Sequence, residues 1–150
     1  MASVQIDDLR LALGGNPVLN GVSLELSDGE CVALLGPSGC GKTTTLRALA
    51  GFVHADRGQV KFNSASVDAL PAHRRNVGLV FQDYALFPHM TVAENVSYGL
   101  RMRGRSRSEI AVAVAEALAR VELSGFDARL PAQLSGGQRQ RVALARAIVI

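Results

Sequence analysis

Several shortages in the sequence each exclude a class of protein. Two cysteines in 150 residues, Cys31 and Cys40, are too few for a disulfide framework, and neither has zinc spacing or a nearby histidine pair. A reducing, cytosolic compartment is the default for such a chain. No apolar run approaches the roughly 20 residues that a membrane-crossing helix needs. The N-terminus carries Asp7 and Asp8 where a secretory leader would place basic and then apolar residues, so no signal peptide is read there. Charge of one sign is also scarce, the formal net charge being only +3. A nucleic-acid binder concentrates positive charge on one face. The densest basic run here, Arg101, Arg103, Arg105 and Arg107, alternates with small or apolar residues and reads as a solvated loop.

What is present is an ordinary globular balance, 48% hydrophobic and 19% charged, on a chain long enough for one domain with a real core. Val4 and Ile6, then Leu9, Leu11 and Leu13, then Val22, Leu24 and Leu26 alternate with polar or small residues and predict strands, with turns at Gly14-Gly15-Asn16-Pro17 and Asp28-Gly29. Cys31 to Leu35 is a continuous apolar run, the pattern of a strand buried on both faces, with Cys31 as a buried thiol. A glycine loop follows, and then a helix with Leu46, Leu49 and Ala50 on its apolar side and Gly51 as its cap. Val60 and Phe62 predict a short strand, and Val77 to Phe81 another that ends at Gln82. From Ser108 the pattern turns helical: Ile110, Val114, Ala117, Leu118 and Val121 recur at spacings of three and four until Ser124-Gly125. A last helix opens near Ser135 and is still running at Ile150, so the chain reads as cut rather than finished.

Two short motifs carry chemistry. The first, Gly36-Pro37-Ser38-Gly39-Cys40-Gly41-Lys42-Thr43, matches the phosphate-loop pattern G-x-x-x-x-G-K-[ST] between a predicted strand and a predicted helix. Its glycines let the backbone fold tightly, so that successive N–H groups point at an anion, and the helix start adds the positive end of its dipole. Lys42 then reaches the β- and γ-phosphates, the Thr43 hydroxyl ligates Mg²⁺, and Thr44 lies toward the α-phosphate. That motif alone says P-loop nucleotidase; a guanine reader N-K-x-D does not occur in the chain.

The second motif is Leu134-Ser135-Gly136-Gly137-Gln138-Arg139-Gln140. Ser135 and Gln138 form an S-x-x-Q capping box, and Gly136 and Gly137 leave the backbone N–H groups bare, which makes this helix start a second anion site. It resembles the signature motif of ATP-binding cassette (ABC) ATPases, and the resemblance extends from Ser3 to Ile150. The stretches Leu70 to Gly78, Tyr84 to Pro88 and Thr91 to Val96 are similar to importer ATPases of the polyamine, ferric-iron and sugar group.

The resemblance implies an α/β P-loop fold: N-terminal antiparallel strands, a mostly parallel core sheet and a helical subdomain. The core would hold residues 1–82 and 133–150, and the helical subdomain residues 83–132. It implies ATP and Mg²⁺ as cofactors, with Gln82 as the family's Q-loop glutamine, ligating Mg²⁺ and orienting the attacking water. Partners would be transmembrane permease subunits, docking near Phe87, Pro88 and Met90, and a second ATPase subunit. In that head-to-tail dimer, Ser135, Gly136, Gly137 and Gln138 would close over the ATP on the other subunit's phosphate loop. A solute-binding protein would act indirectly, no nucleic acid would be bound, and the location would be cytoplasmic, on the inner face of the membrane.

The chain departs from the family's pattern in two places. Where an aromatic residue usually stacks on adenine it has Leu13, so Leu13 and Val18 would give apolar contact without stacking. The family's next strand, with its aspartate and catalytic glutamate, and its switch histidine are not among these residues; His54, His73 and His89 all precede the signature and read as surface or loop residues. The missing strands would leave the core sheet with an open edge, so the chain by itself is expected to be poorly soluble and to hydrolyse little or no ATP. The alternative is a nucleotide-binding module without catalysis. A chromosome-type ATPase is disfavoured because too few residues separate Gln82 from Ser135 for a long coiled coil, and a translation-type ATPase because the importer-like Tyr84-to-Pro88 stretch is present.

Overall fold

The alternation near the N-terminus becomes two antiparallel strands, β1 (Val4–Leu13) and β2 (Asn16–Leu26), in a computed structural model that describes residues 2–150. Gly14 and Gly15, at φ 58° and 83°, form the two-residue turn between them, since a hairpin of this length needs positive φ at both turn positions. β3 (Arg57–Phe62) pairs with the other side of β1, and β4 (Ala65–Ser66) with β3, giving the antiparallel order β2-β1-β3-β4. The inward face changes phase along β1: Ile6 is buried, and then Leu9 and Leu11. The cause is a bulge at Asp7-Asp8, where Asp8 takes φ 45° and the register to both neighbours shifts. Gly58 on β3 makes room for it, because a Cβ there would stand 2.5 Å from the Asp7 and Asp8 carbonyl oxygens.

The helix α1 (Lys42–Leu49) lays Ala48 on this sheet, in a core with Ile6, Leu9, Leu11, Leu19, Val60 and Val67. Its C-terminus is closed twice. Gly51 N–H donates to the Ala48 carbonyl and Phe52 N–H to that of Arg47, at 3.1 and 2.9 Å, the Schellman arrangement. Arg75, only 4% exposed, donates to the Ala48, Leu49 and Leu70 carbonyls at 2.8, 3.0 and 3.0 Å. Burial pulls the Arg75 pKa down and nearby Asp68 pushes it back, so the guanidinium acts as a charged, buried C-cap.

A second compact unit runs from Gly78 to Ile150, the first ending at Val77. It is built on α2 (Val92–Met102), α3 (Arg107–Arg120) and α4 (Gly136–Ile148). Val92 and Val96, then Val114, Ala117, Leu118 and Val121, then Val142 and Ala145 each make one helix face, and Leu123 and Leu134 complete their common core. Leu118 alone, 1% exposed, contributes about 1.5–3 kcal/mol by burial. Capping boxes start all three helices: Thr91 with Glu94, Ser106 with Glu109, and Ser135 with Gln138.

Several expectations are corrected. The segments Cys31 to Leu35 and Val77 to Phe81 form no strand, Cys31 is exposed, and Leu35 is 90% exposed. Apolar runs of this kind become buried strands only where neighbouring strands complete the ladder, and neither has one among the described residues. The sheet that does form is antiparallel throughout, with no parallel pair. Ala50 is buried and Leu49 packs against the sheet core as read, but α1 also buries Thr45 and Ala48 and leaves Leu46 45% exposed. α3 stops at Arg120 rather than at Ser124-Gly125, Glu122 taking φ 58° in the glycine's stead.

The capping boxes make helix stability pH-dependent. The Thr91 N–H, donating at 2.7 Å, holds the Glu94 carboxyl below the usual glutamate range, and the Ser106 N–H, at 2.9 Å, does the same for Glu109. A lowered folded-state pKa gives stability that is complete above the unfolded glutamate pKa and lost as pH falls through the folded one. The double variant Glu94→Ala/Glu109→Ala is expected to lower the urea midpoint of the helical circular-dichroism signal at pH 7, and the gap to the unsubstituted chain should narrow at pH 3. An equal gap at both pH values would contradict it.

Candidate functional site

The loop from Gly36 to Gly41 is fixed from both ends. Gly41 ends it in the left-handed region at φ 95°, as the N-cap of α1, and a Cβ there would meet Leu19 Cδ2 at 2.8 Å and the Val18 carbonyl oxygen at 2.9 Å. No side chain other than glycine's fits that approach. Gly36 and Gly39 also take positive φ, 152° and 83°, and the Cys40 N–H closes a turn onto the Pro37 carbonyl at 3.4 Å. Lys42 reaches back over the loop, its Nζ donating to the Gly36 and Pro37 carbonyls at 2.7 Å each and lying 3.4 Å from Cys40 Sγ. Thr45 returns its hydroxyl to the Gly41 carbonyl at 3.0 Å, which pins the first turn.

The start of α1 differs from the other helix starts in one respect. α2, α3 and α4 each have a side chain on their first amides, and α1 has none. Its leading N–H groups carry no side-chain cap, and the loop before them holds three positive-φ glycines with the Lys42 ammonium on its Gly36 and Pro37 carbonyls. These are the kinds of group a polyphosphate would call on: backbone amides for hydrogen bonds, the Lys42 ammonium for charge, and the exposed Thr43 hydroxyl for a phosphate-bound cation. No cluster of three or more His, Cys, Asp or Glu side chains suited to a metal occurs among the described residues, so a divalent cation here would rely on hydroxyl and phosphate oxygens.

In the second unit, Ser135 Oγ accepts the Gln138 N–H at 3.2 Å and Gln138 Oε1 accepts the Ser135 N–H at 2.8 Å. The predicted capping box is therefore formed. A Cβ on Gly136 or Gly137 would meet nothing within 4 Å, so no neighbouring group crowds the two glycines at the start of α4. Gln82 is exposed and sits in a turn that Tyr84 N–H closes onto the Phe81 carbonyl at 3.0 Å, not at a strand end. Beyond it Tyr84 and Ala85 both take positive φ, 64° and 44°. Such residues cost about 1–3 kcal/mol each when not glycine.

Leu13 lies at the β1–β2 turn, 50% exposed, while Val18 puts its backbone directly against Gly41. His54, His73 and His89 are exposed, as expected, and the exposed Arg105 pairs with Glu109 at 3.5 Å. Sequence reasoning missed Asn95 and Arg146. Asn95, fully buried, accepts the Phe87 N–H at 2.8 Å and donates to the Phe87, Met90 and Thr91 carbonyls at 3.0–3.1 Å. Arg146 donates to the Ala85 and Tyr84 carbonyls at 2.7 and 2.9 Å. Thr91-x-x-Glu94 was a legible start signal for α2 and hence for a buried Asn95; nothing local marks Arg146.

The family model described as ABC transporter matches residues 19–150. The chain is 53% identical to the spermidine/putrescine import ATP-binding protein of Photobacterium profundum, over 97% of this chain and 39% of that protein. It is 53% identical to the sulfate/thiosulfate import ATP-binding protein of Halalkalibacterium halodurans, over 99% of this chain and 43% of that protein. It is 50% identical to the Fe(3+) ions import ATP-binding protein of Rhizobium etli, over 98% and 42%. The chain thus spans about two-fifths of the length of the curated relatives it matches.

The geometry singles out one glycine. Gly41→Ala is expected to abolish binding of a fluorescent ATP analogue and to lower thermal stability, since the methyl group would collide with Val18 and Leu19. Gly137→Ala, with open space around its Cβ, should leave stability unchanged. Equal thermal stability of the two variants would refute this reading of the loop.

Proposed function

The chain belongs to the ABC transporter family, and on that premise we propose that it is the ATP-binding part of an import ATPase. The observation that carries this reading is the start of α1, the one helix start of the four without a side-chain cap, with Lys42 and three positive-φ glycines around its amides. ATP is held by Gly36, Pro37, Ser38, Gly39, Cys40 and Gly41 through their backbone, with Lys42 on the β- and γ-phosphates, Thr43 on Mg²⁺ and Thr44 toward the α-phosphate. Leu13 and Val18 give the base apolar contact. Mg²⁺, when bound, would supply charge neutralisation, and Gln82 would be the further residue that holds it and orients water.

Ser135, Gly136, Gly137 and Gln138 are a second phosphate-binding start, offered to the nucleotide of a second copy in a head-to-tail dimer. The open space around both glycines supports this role, since a phosphate group needs close approach to the backbone there. Residues 1–82 and 133–150 form the ATPase core and 83–132 the helical subdomain, with Phe87, Pro88 and Met90 toward a membrane permease. The assembly lies on the inner face of the membrane and receives its solute through a separate binding protein. No helix among the described residues is long and apolar enough to cross a membrane, which fits a subunit that needs permease partners. The relatives import a polyamine, sulfate or ferric iron by name, and the solute of this protein is a small molecule or ion of that range.

The carboxylate that the family uses to polarise the attacking water is not among residues 1–150. This stretch by itself therefore binds ATP without turning it over, and turnover belongs to the whole protein. The test is Lys42→Ala, followed by titration with a fluorescent ATP analogue. At least a tenfold loss of affinity, about 1.4 kcal/mol, is expected with the circular-dichroism spectrum unchanged. Undiminished affinity would refute the assignment, and lysine-dependent phosphate release by residues 1–150 would refute the division of labour.

A further inference from the structure

We propose that Arg146 is a positioning residue that couples the Ser135 end of α4 to the segment following Gln82; this rests on the import-ATPase reading above. The guanidinium donates to two adjacent carbonyls, of Tyr84 and Ala85, at 2.9 and 2.7 Å. Both residues have positive φ, a conformation side-chain-bearing residues leave unless something holds them. The same guanidinium stands 5.7 Å from the centre of the Phe87 ring, which packs on Tyr98 at 4.7 Å. Asn95 holds the Phe87 backbone from α2. The segment after Gln82 is thus clamped from two helices, and the α4 clamp is the one that governs its strained pair.

α4 is one unbroken helix of 13 residues whose first turn is the Ser135 cap. It is a rod of about 20 Å, stiff on the scale of a side-chain contact. Phosphate engagement at Gly136 and Gly137 that shifts the first turn shifts Arg146 with it, and Arg146 carries Tyr84 and Ala85. Stability alone is a poor account of this arginine. It is half buried, burial lowers its pKa, and it has no carboxylate partner among the described residues. A desolvated cation held by carbonyls and a ring costs stability that a neutral residue would not. Its particular asset is a planar fork that spans two neighbouring carbonyls.

The experiment uses the full-length ATPase subunit reconstituted with its permease in lipid vesicles. Arg146→Ala is expected to cut the kcat of permease-coupled ATP turnover about tenfold, a coupling loss of ordinary size, with KM for ATP within about twofold of the unsubstituted protein. Adding Ala85→Gly to Arg146→Ala should restore most of the lost turnover, because glycine holds positive φ unaided. Turnover is expressed per folded protein by circular dichroism, since Ala85→Gly also relieves strain in the fold, and a loss of folded Arg146→Ala that accounts for the lost turnover would overturn the proposal. Unchanged coupled kcat in Arg146→Ala, an effect on KM alone, or no recovery with Ala85→Gly would each overturn the proposal. An unsubstituted protein that binds no ATP, or whose turnover ignores the permease, would overturn the import-ATPase reading and this proposal with it.

Discussion

Every helix begins with amides that its own backbone cannot satisfy, and this molecule turns on how those amides are treated. Three helices close theirs with a hydroxyl and a returning Glu or Gln side chain. α1 begins instead at Gly41, in a conformation that brings no capping side chain, with Lys42 folded over the preceding loop. The openness is built in from outside the loop. Val18 and Leu19 stand so close to Gly41 that no Cβ fits, and Leu19 is itself held in the core of the four-stranded sheet. The strands that read as simple packing in the sequence are thus the wall against which the phosphate loop is shaped.

A second theme is the use of long polar side chains as backbone caps at a distance. Arg75 closes the end of α1 from 26 and 27 residues away in sequence, and Arg146 holds Tyr84 and Ala85 from 62 and 61 residues away. Asn95 does the same for the loop before α2. In each case one side chain donates to several carbonyls at once, which ties a loop without giving it an element of its own. The phosphate loop of the first unit and the Ser135 cap of the second are therefore each carried on a well-determined framework.

Within a family whose relatives import polyamines, sulfate or iron, similarity near 50% across such different cargoes fits a division of labour in which this stretch handles nucleotide.

The sequence by itself determined the strands β1, β2 and β3, the helices that open after the glycine loop, near Ser108 and near Ser135, and the capping box at Ser135. These depend on local matters: alternation, helical spacing, glycine where φ is positive, and a serine three residues before a glutamine. It misread Cys31 to Leu35 and Val77 to Phe81 as strands because an apolar run states a readiness to pair, whereas a strand exists only with a neighbour to bond. It passed over α2, whose start signal at Thr91 was legible. It also passed over the roles of Asn95 and Arg146, which no local pattern announces. Only the tertiary structure decided those, since which carbonyls lie within reach of a side chain sixty residues away is set by packing, and packing leaves no mark in the order of the residues nearby.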